Sequence, residues 1–213
     1  FNDKNDFINY PKTLDSDISL LIKNECDCLF LPDQSILNNI KQIKSSYKSQ
    51  HLCGLTRPGH FDGVLTIVNR LFDLVKPTRA IFGKKDYQQL LLISDFVKEN
   101  NLPINIIGSE IVRDQSGLAL SSRNNHLSAD EKKLASNLYK TLKIIAKKVD
   151  TLTINDIINE KNKLRDLGFS IDYLNVCNPL ELSEESNYNI RPLIVAIAAY
   201  IGEIRLIDNI LIT

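Results

Sequence analysis

The 213-residue sequence has no net charge, no methionine and no long apolar run, and each absence excludes something. Its 26 Lys and Arg residues match its 26 Asp and Glu residues. A duplex binder gains most of its affinity by neutralising phosphates with cationic side chains, so this balance removes the electrostatic case for a nucleic-acid partner. The longest uninterrupted apolar stretch, Leu193 to Ile201, is too short to cross a bilayer, and no charged-then-apolar leader opens the sequence. Neither a membrane span nor a secretory signal is therefore expected. Zinc-ligand spacing is missing as well: Cys26 and Cys28 straddle one residue, and His51, His60 and His126 do not pair with them. Together with Cys53 and Cys177 they read as buried or incidental thiols of a reducing cytoplasm. A chain of this length that opens on Phe1 without a single Met is expected to be an internal fragment. The alternative is a sequence from which Met residues have been left out, so that some neighbours are not true neighbours.

With 43% hydrophobic and 24% charged residues, what is present is the composition of an ordinary soluble globular protein, long enough for one domain or two small ones. Thr13 is placed to cap a helix through Lys23, and Cys28–Leu31 reads as a short strand closed by Pro32. From Asp33 to Ser49 the sequence is polar, more loop or surface helix than core. Val64, Val68, Leu71, Phe72 and Val75 fall on one helical face, ended by Pro77. Ala80–Phe82 predicts a buried strand, Tyr87, Leu90, Leu91, Ser94 and Val97 a helix, and Ile104–Ile107 a second buried strand left at Gly108. Helix–strand–helix–strand order with short connections implies parallel strands and helical crossovers. Ser128 and Glu131 then form a capping box for a helix carrying Leu134, Leu138, Leu142 and Ile145. Thr153 caps another, stopped by Gly168, and only strand-like runs follow: Ile171–Val176, Leu193–Tyr200 and Ile204–Ile212. Helices followed by consecutive strands suggest a small α+β unit, with the boundary near Glu110–Arg113.

Polar sequence at strand ends and loops is where an α/β sheet binds ligands. In Gly83-Lys84-Lys85-Asp86-Tyr87-Gln88-Gln89, the glycine lets backbone approach a ligand and Lys85 offers a cation for phosphate. The following helix N-terminus adds N–H donors, and Gln89 lies one turn on, able to hold a hydroxyl or carboxylate. The same residues also suit a plain strand-to-helix turn with Asp86 as N-cap. Ser121-Ser122-Arg123-Asn124, after Gly117, is a compact set of donors for phosphate oxygens, or equally a polar loop before Ser128. In Arg57-Pro58-Gly59-His60-Phe61-Asp62-Gly63, a tight turn presents Arg57, His60 and Asp62. Asp15 and Asp17, with Asp6 upstream, could help hold a divalent metal or serve simply as first-turn residues. Arg205-Leu206-Ile207-Asp208-Asn209 reads as strand and turn in the second core.

In this order, the segments resemble the pantothenate synthetase (pantoate–β-alanine ligase) family. The likeness runs from Asn9-Tyr10-Pro11-Lys12-Thr13 through the 57–64, 83–89 and 117–124 motifs. It closes on Ile171-Asp172-Tyr173 and Gly202-Glu203-Ile204-Arg205-Leu206-Ile207-Asp208-Asn209-Ile210, spanning essentially the whole chain. It implies a Rossmann-like nucleotidyltransferase domain with a parallel sheet (residues 1–110) and a small C-terminal α+β lid domain (residues 111–213). It also implies the family's reaction. Pantoate attacks the α-phosphorus of ATP, with Mg²⁺, giving pantoyl adenylate and pyrophosphate; β-alanine then displaces AMP to give pantothenate, the precursor of coenzyme A.

Carried over by position, Gly83, Lys84, Lys85 and Asp86 form the ATP-contacting turn, with Lys85 the phosphate-binding lysine. Val112 is a backbone ATP contact, Leu120, Ser121, Ser122 and Arg123 are the lid's ATP stretch, Gln89 binds pantoate and Asp17 lies near the metal. Lys85, Ser121, Ser122 and Arg123 would stabilise charge on the α-phosphate and the leaving pyrophosphate, so positioning and electrostatics carry the rate. The resemblance further implies a cytoplasmic homodimer. Two departures stand out. Lys84 replaces the family's usual Glu. The opening strand and His-x-Gly-His turn, which supply the catalytic histidine, are absent, as is a further pantoate-binding glutamine before Phe1. Residues 33–50 are also shorter than usual, as expected of a fragment or of omitted residues. The competing expectations are a nucleotidyltransferase with another acceptor and a non-catalytic remnant.

Overall fold

The computed structural model describes residues 13–213; Asp6 and the motif segment from Asn9 to Lys12 lie outside them. Helix α1 (Leu14–Lys23) leads into an exposed segment with 3-10 turns at Gln34–Leu37 and Tyr47–Gln50. Next come α2 (Leu52–Thr56), α3 (His60–Val75), β1 (Arg79–Gly83), a 3-10 turn at Lys84–Asp86, α4 (Tyr87–Glu99) and β2 (Asn105–Ser109). β1 and β2 pair in parallel, Ala80 opposite Ile106, with α4 as the crossover, the connection a parallel pair requires. Leu65 and Phe72 of α3 and Ile93 and Val97 of α4 pack on one face of this pair, against Ala80, Phe82 and Ile106.

After the 3-10 turn Ser122–His126 the chain forms α5 (Ala129–Ala135), α6 (Asn137–Lys147), α7 (Ile154–Asp166) and three strands: β3 (Ser170–Cys177), β4 (Leu193–Ile201) and β5 (Ile204–Ile212). The strands form an antiparallel sheet with β4 in the middle. One face of β4 (Val195, Ile197, Ala199) meets α6 and α7 through Leu138, Leu142, Ile145 and Leu164. The other face, Ile194 and Ala196, meets Leu52 of α2 and, at its margin, Tyr87 and Leu91 of α4. Coverage on both sides is why this strand reads as a continuous apolar run rather than an alternating one. The capping boxes at Ser128/Glu131 and Thr153/Asp156 both form, and Gly168 ends α7 at φ 94°.

Several expectations need correction. Residues 28–31 are not a strand: Leu29, Phe30 and Leu31 are exposed, and no described neighbour offers them a ladder. Among the described residues β1 and β2 are covered on one face only, so Ile81 is 68% exposed where a buried strand was expected, and Gly108 lies inside β2 instead of ending it. The helix after Ser128 breaks at Ser136, whose hydroxyl donates back to the Lys133 carbonyl (2.7 Å). Thr13 occupies the N-cap position of α1, but its hydroxyl donates to the Asp17 carboxylate (3.1 Å) and makes no cap bond to the helix backbone.

Candidate active site

The strand-end turn, the 118–126 segment and the antiparallel sheet enclose a cavity of about 930 Å³. β1 delivers the chain to its rim, and the Lys84–Asp86 turn redirects it into α4. Lys85 and Asp86 both line the cavity, the ammonium 4.0 Å from the Asp86 carboxylate. Asp86 stands at the N-cap of α4 without making a cap hydrogen bond. Gln89 lines the wall from the first turn of α4. Its neighbour Gln88 is buried, donating to the carbonyls of Lys48 (2.9 Å) and His51 (2.8 Å) and so stapling the preceding loop to α4.

Ser121 and Arg123 line the same cavity from the 118–126 segment. The Ser121 hydroxyl accepts the Arg123 N–H (3.3 Å), which starts the 3-10 turn and fixes the order of donors. Two segments distant in sequence thus bring Lys85, Gln89, Ser121 and Arg123 to one space. Gly83, Lys84, Val112, Leu120, Ser122 and Asp17 are not part of its wall. Gly83 has an ordinary extended φ of −72°, so a left-handed turn is not what it supplies. Lys84 turns aside to pair with Glu110. Val112 and Leu120 are mutually paired through the backbone, Leu120 N–H to Val112 carbonyl at 2.9 Å. Asp17 is an exposed first-turn residue, and among the described residues no group of three His, Cys, Asp or Glu side chains could hold a metal.

The turn at residues 57–63 is divided. Gly59 takes φ 75°, a left-handed conformation open to glycine, and starts α3. Arg57 and His60 face the cavity with Nη1 and Nε2 3.1 Å apart, so Arg57 donates and the imidazole accepts. Burial, then the charge of Arg57, lowers the His60 pKa to about 4, which leaves the ring neutral at pH 7. Asp62, expected beside them, instead accepts from the Ser45 N–H (2.8 Å), the Ser45 hydroxyl (2.6 Å) and Lys44 (2.9 Å). These bonds hold its carboxyl down at about 2.

Sequence reasoning missed the sheet's contribution to the wall. In β3 the register shifts between Ile171 and Tyr173, and such a bulge re-aims side chains. Asp172 takes the Arg205 guanidinium at Nη2 (2.6 Å) and Nε (3.0 Å), and Tyr173 reaches Cys53 across the cavity floor, hydroxyl to thiol 3.1 Å. Both terminal nitrogens of Arg205 lie 3.6 Å from the same sulfur. Cys53 is buried, as the sequence allowed, and is also part of the site wall. Burial, then Cys53, raises the Tyr173 pKa well above 10, so the phenol stays protonated.

On β5, Asp208 takes Arg113 bidentately (2.6 and 2.8 Å), while Arg113 donates to the Gly117 carbonyl (3.1 Å) and lies 3.6 Å over the Tyr139 ring. The Arg205–Asp208–Asn209 stretch is strand, as expected, but these three side chains line the cavity. A pattern of strand alternation gives no sign of such long-range partners.

Known proteins resemble this chain throughout. The family model described as pantoate-beta-alanine ligase matches residues 1–211. A pantothenate synthetase of Acinetobacter baylyi is 41% identical over 216 residues, which cover 99% of this chain and 76% of the relative. One from Thiobacillus denitrificans is 39% identical, covering 98% and 76%. A crystal structure of pantothenate synthetase from Thermus thermophilus superposes with a TM-score of 0.89 at 35% identity, over 96% of this chain and 76% of that one. A pantoate-beta-alanine ligase from Francisella tularensis, described as complexed with beta-gamma ATP and beta-alanine, gives 0.81 at 33% identity, over 99% and 74%. With a family model matching nearly its whole length and relatives about 40% identical over it, the chain belongs to the pantoate-beta-alanine ligase family.

Proposed function

We propose that the chain joins pantoate to β-alanine in two steps at this cavity, using ATP. A pantoate carboxylate oxygen attacks the α-phosphorus; the bond to the bridging oxygen breaks and pyrophosphate leaves, giving pantoyl adenylate. The free amine of β-alanine then attacks the acyl carbon, AMP departs, and the nitrogen loses its extra proton to solvent. The observation that carries the reading is the convergence of Lys85, Gln89, Ser121 and Arg123 on one cavity. In this scheme Lys85, Ser121 and Arg123 meet charge developing on the phosphates, Gln89 orients pantoate and Asp86 borders the nucleotide. For Ser122, Gly83, Lys84, Val112 and Leu120, which lie outside the cavity wall, a nucleotide role rests on the family resemblance alone. Support for the substrates comes from the family match and from the ATP and β-alanine named for the Francisella relative.

Mg²⁺ is part of the proposal, but the described residues do not form a protein cage for it, Asp17 included. A cation of this kind keeps much of its shell as water and phosphate oxygen. Each step above is accordingly assigned to the chain's own side chains. We further assign residues 1–110 and 111–213 to two domains, the second covering the cavity. A cytoplasmic homodimer rests on the family resemblance alone.

Pantoate and ATP without β-alanine should release pyrophosphate and leave an acyl adenylate; added β-alanine should then release AMP and pantothenate. Lys85→Ala and Arg123→Ala should each slow the first step by about 10²- to 10³-fold. Failure of the unaltered protein to make pantothenate would end the reading.

A further inference from the structure

We infer that Asn209 is a positioning residue, which sets the place of Lys85 in the cavity by holding the backbone of its turn. The inference rests on the proposed phosphate role of Lys85 and adds the group that acts through it. Asn209 belongs to β5 and is nearly inaccessible. Its side-chain amide donates to two successive carbonyls, Lys84 (2.9 Å) and Lys85 (3.0 Å), from 125 and 124 residues away in the sequence. Both hydrogens of the amide are thereby used. The ammonium of Lys85 ends a flexible four-carbon stem, so its reach is defined only as well as the backbone beneath it.

Asn209 is itself fixed. Its N–H donates to Asp208 Oδ1 (2.8 Å), and the β4–β5 ladder places it opposite Ala196. The same Asp208 carboxylate binds Arg113, which holds the Gly117 carbonyl at the head of the segment carrying Ser121 and Arg123. One hydrogen-bonded network on β5 therefore anchors both segments of the proposed phosphate clamp. A residue that only stabilised the sheet would have no reason to cap the carbonyl of the cavity's lysine.

Asn209→Asp keeps the shape and removes the donors, setting a carboxylate oxygen against two carbonyl oxygens. By ATP titration calorimetry it should weaken binding about 10-fold, a size typical of losing buried hydrogen bonds. Steady-state kinetics should show KM for ATP rising while KM for β-alanine stays. Asn209→Ala, the second variant should the first not fold, should act in the same direction. In a Lys85→Ala background neither change should weaken ATP binding further, because Asn209 acts through that side chain. Unchanged ATP affinity in a folded Asn209 variant, a lowered melting temperature with affinity retained, or additive losses in the double variant would each overturn the inference. Full ATP affinity in Lys85→Ala alone would instead remove the phosphate role of Lys85, and the inference with it.

Discussion

His60 is the residue whose protonation the fold changes most usefully for experiment. Burial, with Arg57, Arg205 and Arg123 nearby, brings its pKa from 6.5 to about 4. Between those values the unfolded chain binds a proton that the folded chain refuses, so stability rises with pH across that window. The contribution is complete above about 6.5, declines as pH falls and levels off below about 4. Thermal melts from pH 4 to 7 should show this slope, and His60→Gln should flatten it. An equal slope in the variant would assign the effect elsewhere. At the same scale, the turns carrying Lys85, Gln89, Ser121 and Arg123 stood out as short polar motifs that suited plain turns as well, and only the family resemblance gave them roles; the structure brings the four to one cavity. Cys53, Asp172, Tyr173, Arg205, Asp208 and Asn209 did not stand out, since their partners lie on other elements and strand alternation says nothing of them.

Among the elements, helix starts provide a direct comparison. Thr153 and Ser128 each accept an N3 backbone N–H in a full capping box, whereas Thr13 bonds Asp17 instead. Thr153→Ala and Ser128→Ala should each destabilise the fold by about 1 kcal/mol in urea unfolding, and Thr13→Ala by clearly less. The capping boxes were readable from spacing; the behaviour of Thr13 depended on a competing carboxylate one turn away. The loop at Gly117 is bound more tightly. Gly117 has φ 92°, and a Cβ there would stand 2.7 Å from Cδ1 of Tyr139. Gly117→Ala should therefore push the ring off Arg113 and destabilise the protein by about 1–3 kcal/mol, measured by the same titration. A loss below about 0.5 kcal/mol would mean that the loop relaxes freely.

For the molecule as a whole, β4 divides two packing surfaces. Leu142 packs in the core beneath the sheet, and Ile194, also fully buried, lies on the face shared with α2 and lines the cavity. Truncating either to Ala should cost about 2–5 kcal/mol. Only Ile194→Ala should also raise KM for ATP or pantoate well below its melting temperature, because only that side chain supports the cavity wall. Kinetics at 20 °C on both variants check this, and identical constants would show the wall to be independent of the sheet. The apolar run that forms β4 was evident in the sequence, but not that its second face would be covered by α2 and α4.

Local periodicity and turn chemistry determined where the helices and strands lie, and motif order determined the family, because those signals act over a few neighbouring residues. Residues 28–31 fail as a strand for the complementary reason: a strand exists only with a neighbour to accept its hydrogen bonds. The tertiary structure alone decided that Asn209 would cap the Lys85 turn, that beside a register shift in β3 Tyr173 would line the cavity while Asp172 holds Arg205, and that Asp62 would leave it. Those outcomes depend on groups brought together from 17 to 125 residues apart or turned by backbone irregularity, and hydrophobic periodicity carries no record of either.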